Sequence, residues 1–196
     1  MPGRVIRWLK TSLDTRRLAR FFNEHADPWE RMPFDVEHHS FGMASVHDFS
    51  TYLAGTSSVP AQSIDEICHW LRSCQAVDDQ TLFHSQDHWQ HPVAFEQLRR
   101  GDCEDHALWA WRKMRELGLH THFVAGVWGS VAHAWTLFEH HGTVYVLEST
   151  AKTTPLYHPL DAVRHQYCPA LAVDERLRTF VYQGYPRYLS LAGQPR

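Results

Sequence analysis

The chain has 196 residues, 43% of them hydrophobic, and a formal charge of −3. That length suits one domain with at most a small extension, and eight Trp and ten Phe supply a core too rich for a disordered chain. The slightly acidic balance excludes nucleic-acid binding as the main business, while sixteen His let the net charge swing in mild acid.

The start, Arg4 to Lys10, is basic and partly apolar, but it lacks the apolar stretch and cleavage site of a signal peptide. No run approaches the length of a membrane span, so cytoplasmic location is the default expectation, with export left open. Residues 1–60 read as an N-terminal extension packed on the core, and residues 61–190 as the functional domain. Over 14–25, Leu18, Phe21 and Phe22 among Arg16, Arg17 and Arg20 predict an amphipathic helix with a solvated basic face. Asp27-Pro28 and Met32-Pro33 break it.

Ser63-Ile-Asp-Glu66 is a capping box, and the helix it opens carries Ile64, Ile67, Cys68 and Leu71 on one stripe. Pro92 opens a short helix through Leu98, with Gly101 as its stop. The next helix spans 103–117, with Ala107, Ala110, Trp111 and Met114 as its buried stripe and Gly118 at its end. The pattern then changes to period two. Residues 122–128, 132–139 and 143–147 read as strands, the last two joined by a turn at His140-His141-Gly142. One or two more strands fall within 170–183. Helices first and antiparallel strands later give an α+β class.

Of the cysteines at 68, 74, 103 and 168, none forms a C-x-x-C pair, so zinc-ribbon and thioredoxin motifs are absent. Cys68 and Cys74 share one predicted helix, a poor geometry for a disulfide, and the thiols read as reduced. Cys103 differs from the rest. At a helix start it faces unpaired backbone N–H groups and the positive end of the helix dipole, which favour thiolate. His133 in a strand can take its proton and return it to a leaving amine. Glu148, at the end of the adjoining strand, can orient the imidazole. Each residue alone has a bland reading: an incidental helix-start thiol, a surface or core histidine, a solvated strand end. Their order and placement favour a Cys103–His133–Glu148 triad.

Gly101-Asp-Cys-Glu-Asp105, with Asp87-His-Trp89, Pro92 and Glu96 upstream and Ala132-His-Ala-Trp135 downstream, resembles the bacterial transglutaminase-like cysteine proteinases. The resemblance covers about residues 62–150. It implies a papain-like transglutaminase core, the nucleophile helix packed on an antiparallel sheet, with Cys103 as nucleophile and His133 as base. The family's third member is normally Asp; here it is Glu148, one methylene longer. The expected activity is cleavage of a peptide or isopeptide amide through a thioester, on a protein or peptide substrate. An acyl transferase would use the same thioester, and a non-catalytic binding module would keep the fold with an ordinary thiol.

Asp102, Glu104 and Asp105 flank a nucleophile that must become negative, and three carboxylates oppose that. In the adhesin-releasing branch of the family acidic residues at these positions bind calcium, which the resemblance extends to Asp102, Glu104 and Asp105. The alternative is helix capping, Asp102 as N-cap and Asp105 in the first turn. The tandem pairs His38-His39 and His140-His141 chelate poorly, because strand neighbours point to opposite faces. His106 reads as surface-exposed, Trp135 as a shield for His133 or as core, and Asp87 and Trp89 as helix support or cleft lining.

Overall fold

The computed structural model describes residues 22–33, 47–152 and 154–191. Helix α1 (Phe49–Tyr52) is followed by α2 (Ile64–Arg72), strand β1 (Gln75–Ala76), α3 (Asp79–Phe83), α4 (Pro92–Leu98), β2 (Arg100–Gly101) and α5 (Cys103–Glu116). Then come β3 (Thr121–Trp128), β4 (Val131–His140), β5 (Thr143–Leu147), β6 (Tyr157–Pro159), α6 (Leu160–Val163), β7 (Tyr167–Asp174), β8 (Thr179–Val181) and α7 (Tyr185–Leu191). The α+β class holds. The main sheet is antiparallel throughout, in the order β6-β5-β4-β3-β7-β8.

Local chemistry sets most element ends. The Ser63 hydroxyl accepts from Glu66 N–H at 3.2 Å and starts α2. The Glu66 carboxylate reaches back one residue further than a capping box requires, to Gln62 N–H at 2.9 Å. Ile67, Cys68 and Leu71 are buried as the stripe predicts. Helix α4 has the expected bounds, but its stop is Arg99 in the left-handed region at φ 54°, not Gly101. Gly101 instead lies in β2, paired in parallel with β1, where a Cβ would collide with Asp105 and Gln90. The β4–β5 turn is His141-Gly142, both with positive φ, while His140 belongs to β4.

Helix α5 is buried on every side rather than along one stripe. One side meets the sheet: Thr136 Oγ1 donates to Ala107 O at 3.0 Å. The opposite side is wrapped by the segment after α1, held by Arg112 and Lys113. Trp109 stacks on Trp70 at 3.9 Å and joins α5 to α2. Residues 28–32 lie along β8 and its continuation, through Met32 N–H to Val181 O at 2.8 Å and Gln183 N–H to Glu30 O at 3.0 Å.

The predicted helix at 14–25 lies outside the described residues up to position 21; at its end, Asn23 to Ala26 form a turn. His38-His39 also lies outside them. Among the described residues no helix is long and apolar enough to cross a membrane.

Candidate active site

Cys103 is the first residue of α5 and is 4% exposed. It packs in the cluster formed by α1, the inner face of α5, β3 and Ala134 of β4. Its thiol donates to Glu104 Oε2 at 3.1 Å. Burial pushes the Cys68 and Cys74 thiols up to about 11 and raises that of Cys168 as well, so the other three cysteines stay protonated.

His133 lies on β4 opposite Gly126 of β3. Its Nε2–H donates to Glu148 Oε2 at 2.7 Å, and both side chains are buried. Strand register explains why a glutamate suits this position. Leu147 pairs with Thr136, so the next residue, Glu148, continues opposite Trp135 and falls short of the level of His133. The longer side chain spans that offset. Alternation gives Ala134 and Thr136 to the helix side of β4 and puts His133 with Trp135 on the other.

The carboxylate is held at both oxygens. Oε1 accepts from Thr150 and Ala151 N–H at 3.0 and 3.2 Å. Burial alone would raise the Glu148 pKa, but the hydrogen bonds from His133, Thr150 and Ala151 hold it below the ordinary value. Glu148 is therefore ionised, His133 must be protonated on Nε2, and Nδ1 is left to accept a proton. The imidazole sits between indoles: Trp128 at 5.3 Å and Trp135, fully buried, at 6.3 Å between ring centroids. Trp135 therefore both shields the ring and fills the core.

The acidic neighbours are more numerous than the motif suggests. Asp79 joins Asp102 and Asp105 in one cluster, and Asp79 and Asp87 join Glu104 in another, each with ligand atoms within 4.8 Å of one another. Asp79 carries no motif and lies on α3, so spacing alone could not find it. Asp87 also accepts from Trp89 Nε1 at 2.8 Å, and Trp89 packs against Phe49 and Phe123, so this pair serves both the cluster and the core. Burial, then the Glu104 charge, pushes the Asp102 carboxyl up to about 11. Burial raises Asp105 to about 7, against the pull of its hydrogen bonds.

Asp105 has a structural duty. Its carboxylate accepts from Gln90 N–H at 2.7 Å, from the Gln90 side-chain amide, and from Asp102 N–H at 3.3 Å. It thus caps α5 and ties the segment before α4 to the helix start.

His106 corrects the sequence reading. It is fully buried, one turn after Cys103, with Nδ1–H donating to Asp102 O at 2.7 Å. Burial lowers its pKa to about 3, so it stays neutral. The bulky residues of α4 cause this, since Phe95 packs edge-on to the ring at 4.7 Å. The alternation argument against His140-His141 also needs revision. The left-handed turn at His141 brings the two rings to 4.0 Å.

A family model described as the transglutaminase-like superfamily matches residues 47–147, a span that contains Cys103 and His133 and stops one residue before Glu148. No curated protein matches the chain. Among solved structures it is similar to Legionella pneumophila LapG. In the EGTA-treated form the identity is 20%, over 55% of this chain and 59% of that one, with a TM-score of 0.43. In the calcium-bound form the figures are 19%, 55%, 61% and 0.45. A further LapG structure gives 16%, 76%, 80% and 0.46. The chain thus spans about three-fifths of the first two relatives.

Proposed function

The chain belongs to the transglutaminase-like superfamily, and from that premise we propose that it is a cysteine hydrolase that cleaves a peptide or isopeptide amide with Cys103, His133 and Glu148. The observation that carries the reading is the buried 2.7 Å bond from His133 Nε2 to Glu148, which leaves Nδ1 as the proton acceptor, in a chain whose Cys103 opens α5.

The reaction follows from these roles. The Cys103 thiol leaves Glu104 and gives its proton to His133 Nδ1. The thiolate sulfur attacks the carbonyl carbon of the substrate amide, and the oxyanion is held by backbone N–H groups at the start of α5. His133 then protonates the departing amine and a thioester remains. Water, deprotonated by His133, releases the acid and restores the thiol. Glu148 stabilises the imidazolium in both halves. An amine in place of water would make the same site an acyl transferase.

Two of the clusters, Asp79 with Asp102 and Asp105, and Asp79 with Asp87 and Glu104, offer only carboxylate oxygens and suit a hard divalent cation of the calcium type, while a third includes the Cys103 thiol. Asp79 with Asp87 and Glu104, or Asp79 with Asp102 and Asp105, would hold it. Its contribution would be electrostatic, an offset to the negative field around the thiol.

The test is the rate at which iodoacetamide alkylates Cys103 at neutral pH in the wild type, His133→Ala and Glu148→Gln. The proposal expects Cys103 to react at least tenfold faster than Cys68, Cys74 and Cys168, and both variants to lose most of that advantage. A Cys103 no faster than its three siblings would identify a binding module that keeps the fold.

A further inference from the structure

Glu148 has a second side-chain partner that no motif announces. Tyr167 Oη donates to Glu148 Oε2 at 3.4 Å, the oxygen that His133 also reaches. One carboxylate oxygen is thus tied to the backbone of its own loop, and the other lies between an imidazole and a phenol. The phenol is itself well fixed. Tyr167 opens β7 opposite Trp128 of β3, and its ring packs against Trp135 at 5.0 Å and Trp128 at 6.3 Å. Its carbonyl accepts from Trp29 Nε1 at 2.9 Å, and the same indole donates to Arg164 O at 3.1 Å. Burial, then the Glu148 charge, raises the Tyr167 pKa, so the hydroxyl remains a neutral donor.

At 3.4 Å this is a long hydroxyl–carboxylate bond. Its effect is to limit where the carboxylate can swing rather than to bind it tightly. A glutamate needs such a limit more than an aspartate, because its extra methylene adds a torsion that must be frozen. Resting on the hydrolase reading above, we infer that Tyr167 is a positioning residue: its hydroxyl keeps the Glu148 carboxylate on His133, and Trp29 of the N-terminal segment holds Tyr167 in place. That segment therefore belongs to the working site although it contributes no reacting group.

The experiment uses the full chain and two readouts. The first is the low-field proton resonance of His133 Nε2–H, which reports the bond to Glu148. The second is iodoacetamide alkylation of Cys103 at neutral pH. Tyr167→Phe keeps the ring and removes the hydroxyl. It should speed solvent exchange of that proton about fivefold, the size expected for one neutral hydrogen bond, and slow alkylation to a similar degree. Should Tyr167→Phe fail to fold, Trp29→Phe decides, with a smaller change in the same direction. An unchanged resonance in the folded variant overturns the inference and leaves the hydrolase reading standing. A wild-type Cys103 no faster than the other thiols overturns the hydrolase reading, and with it the catalytic purpose of Tyr167, whatever the resonance does.

Discussion

The two ends of helix α5 bury charge in opposite ways. Near its C-terminus, Arg112 donates to the carbonyls of Tyr52, Ala54 and Gly55 at 3.3, 2.9 and 2.7 Å and to Glu116 at 2.9 Å. Lys113 donates to Val59 O at 2.6 Å and Glu116 at 2.8 Å, as well as to Ser57. Glu96 lies 3.9 Å from Lys113 and accepts from Trp109 Nε1 at 2.9 Å and Ser58 N–H at 2.8 Å. Unlike charges and donors meet there, and the result is a closed structural joint. At the N-terminus like charges meet, and Asp102 is pushed up to about 11. A fold that can satisfy one end so fully shows that the strain at the other end is not forced by burial alone. The frustrated end is the one that carries the candidate nucleophile.

Breaking the satisfied end should have the largest effect. Glu96→Ala leaves Lys113, Trp109 Nε1 and Ser58 N–H facing an empty space in the interior. Removing one partner of a buried charge network costs roughly 3–5 kcal/mol. Thermal or urea unfolding measures it, and a loss below about 1 kcal/mol would show that the joint is not what holds the wrapped segment to α5.

Relieving the frustrated end should do the reverse, by less. Asp102→Asn removes a carboxyl that burial and the Glu104 charge hold far above its ordinary range, so in chelator it should stabilise the protein by about 1–3 kcal/mol at pH 8. The sign follows from linkage. Asp102 has a folded pKa of about 11, far above its unfolded value. Its contribution is therefore fully present only below pH about 4 and is lost as pH rises toward the folded value. Between pH 8 and 9, above the folded value of Asp105 at about 7, the melting temperature in chelator should fall as pH rises. Calcium should flatten that slope by neutralising the cluster, and Asp102→Asn should flatten it without calcium. A slope equal in chelator and in calcium would leave the carboxylates as helix caps.

The same contrast explains what could be read from the sequence. The capping serine, the apolar stripe of α2, Pro92 and the period-two runs of β3 to β5 are local signals, and the structure follows them. The all-round burial of α5 is not local. Its Arg112 and Lys113 look like a solvated face until the segment after Tyr52 wraps over them. His106 was misread for the same reason, since Phe95 covers it from another helix. The strands β1 and β2 are too short for any periodicity to register. At the candidate site, the proposal of Cys103, His133 and Glu148 rests on their types and order, which carry chemistry. Asp79 and Tyr167 were not legible, because each reaches the site from an element whose position only the tertiary fold sets.

The central claim is that the thiol at the start of α5 and the imidazole of β4 act as one unit. The most direct measurement is a crystal structure of the protein covalently trapped at Cys103 by an electrophilic peptide. The account predicts the adduct on Cys103 Sγ, His133 Nδ1 within about 4 Å of the sulfur, Glu148 still on Nε2, and the carbonyl oxygen of the adduct against the N–H groups that open α5. An adduct whose sulfur lies out of reach of the His133 imidazole would contradict it.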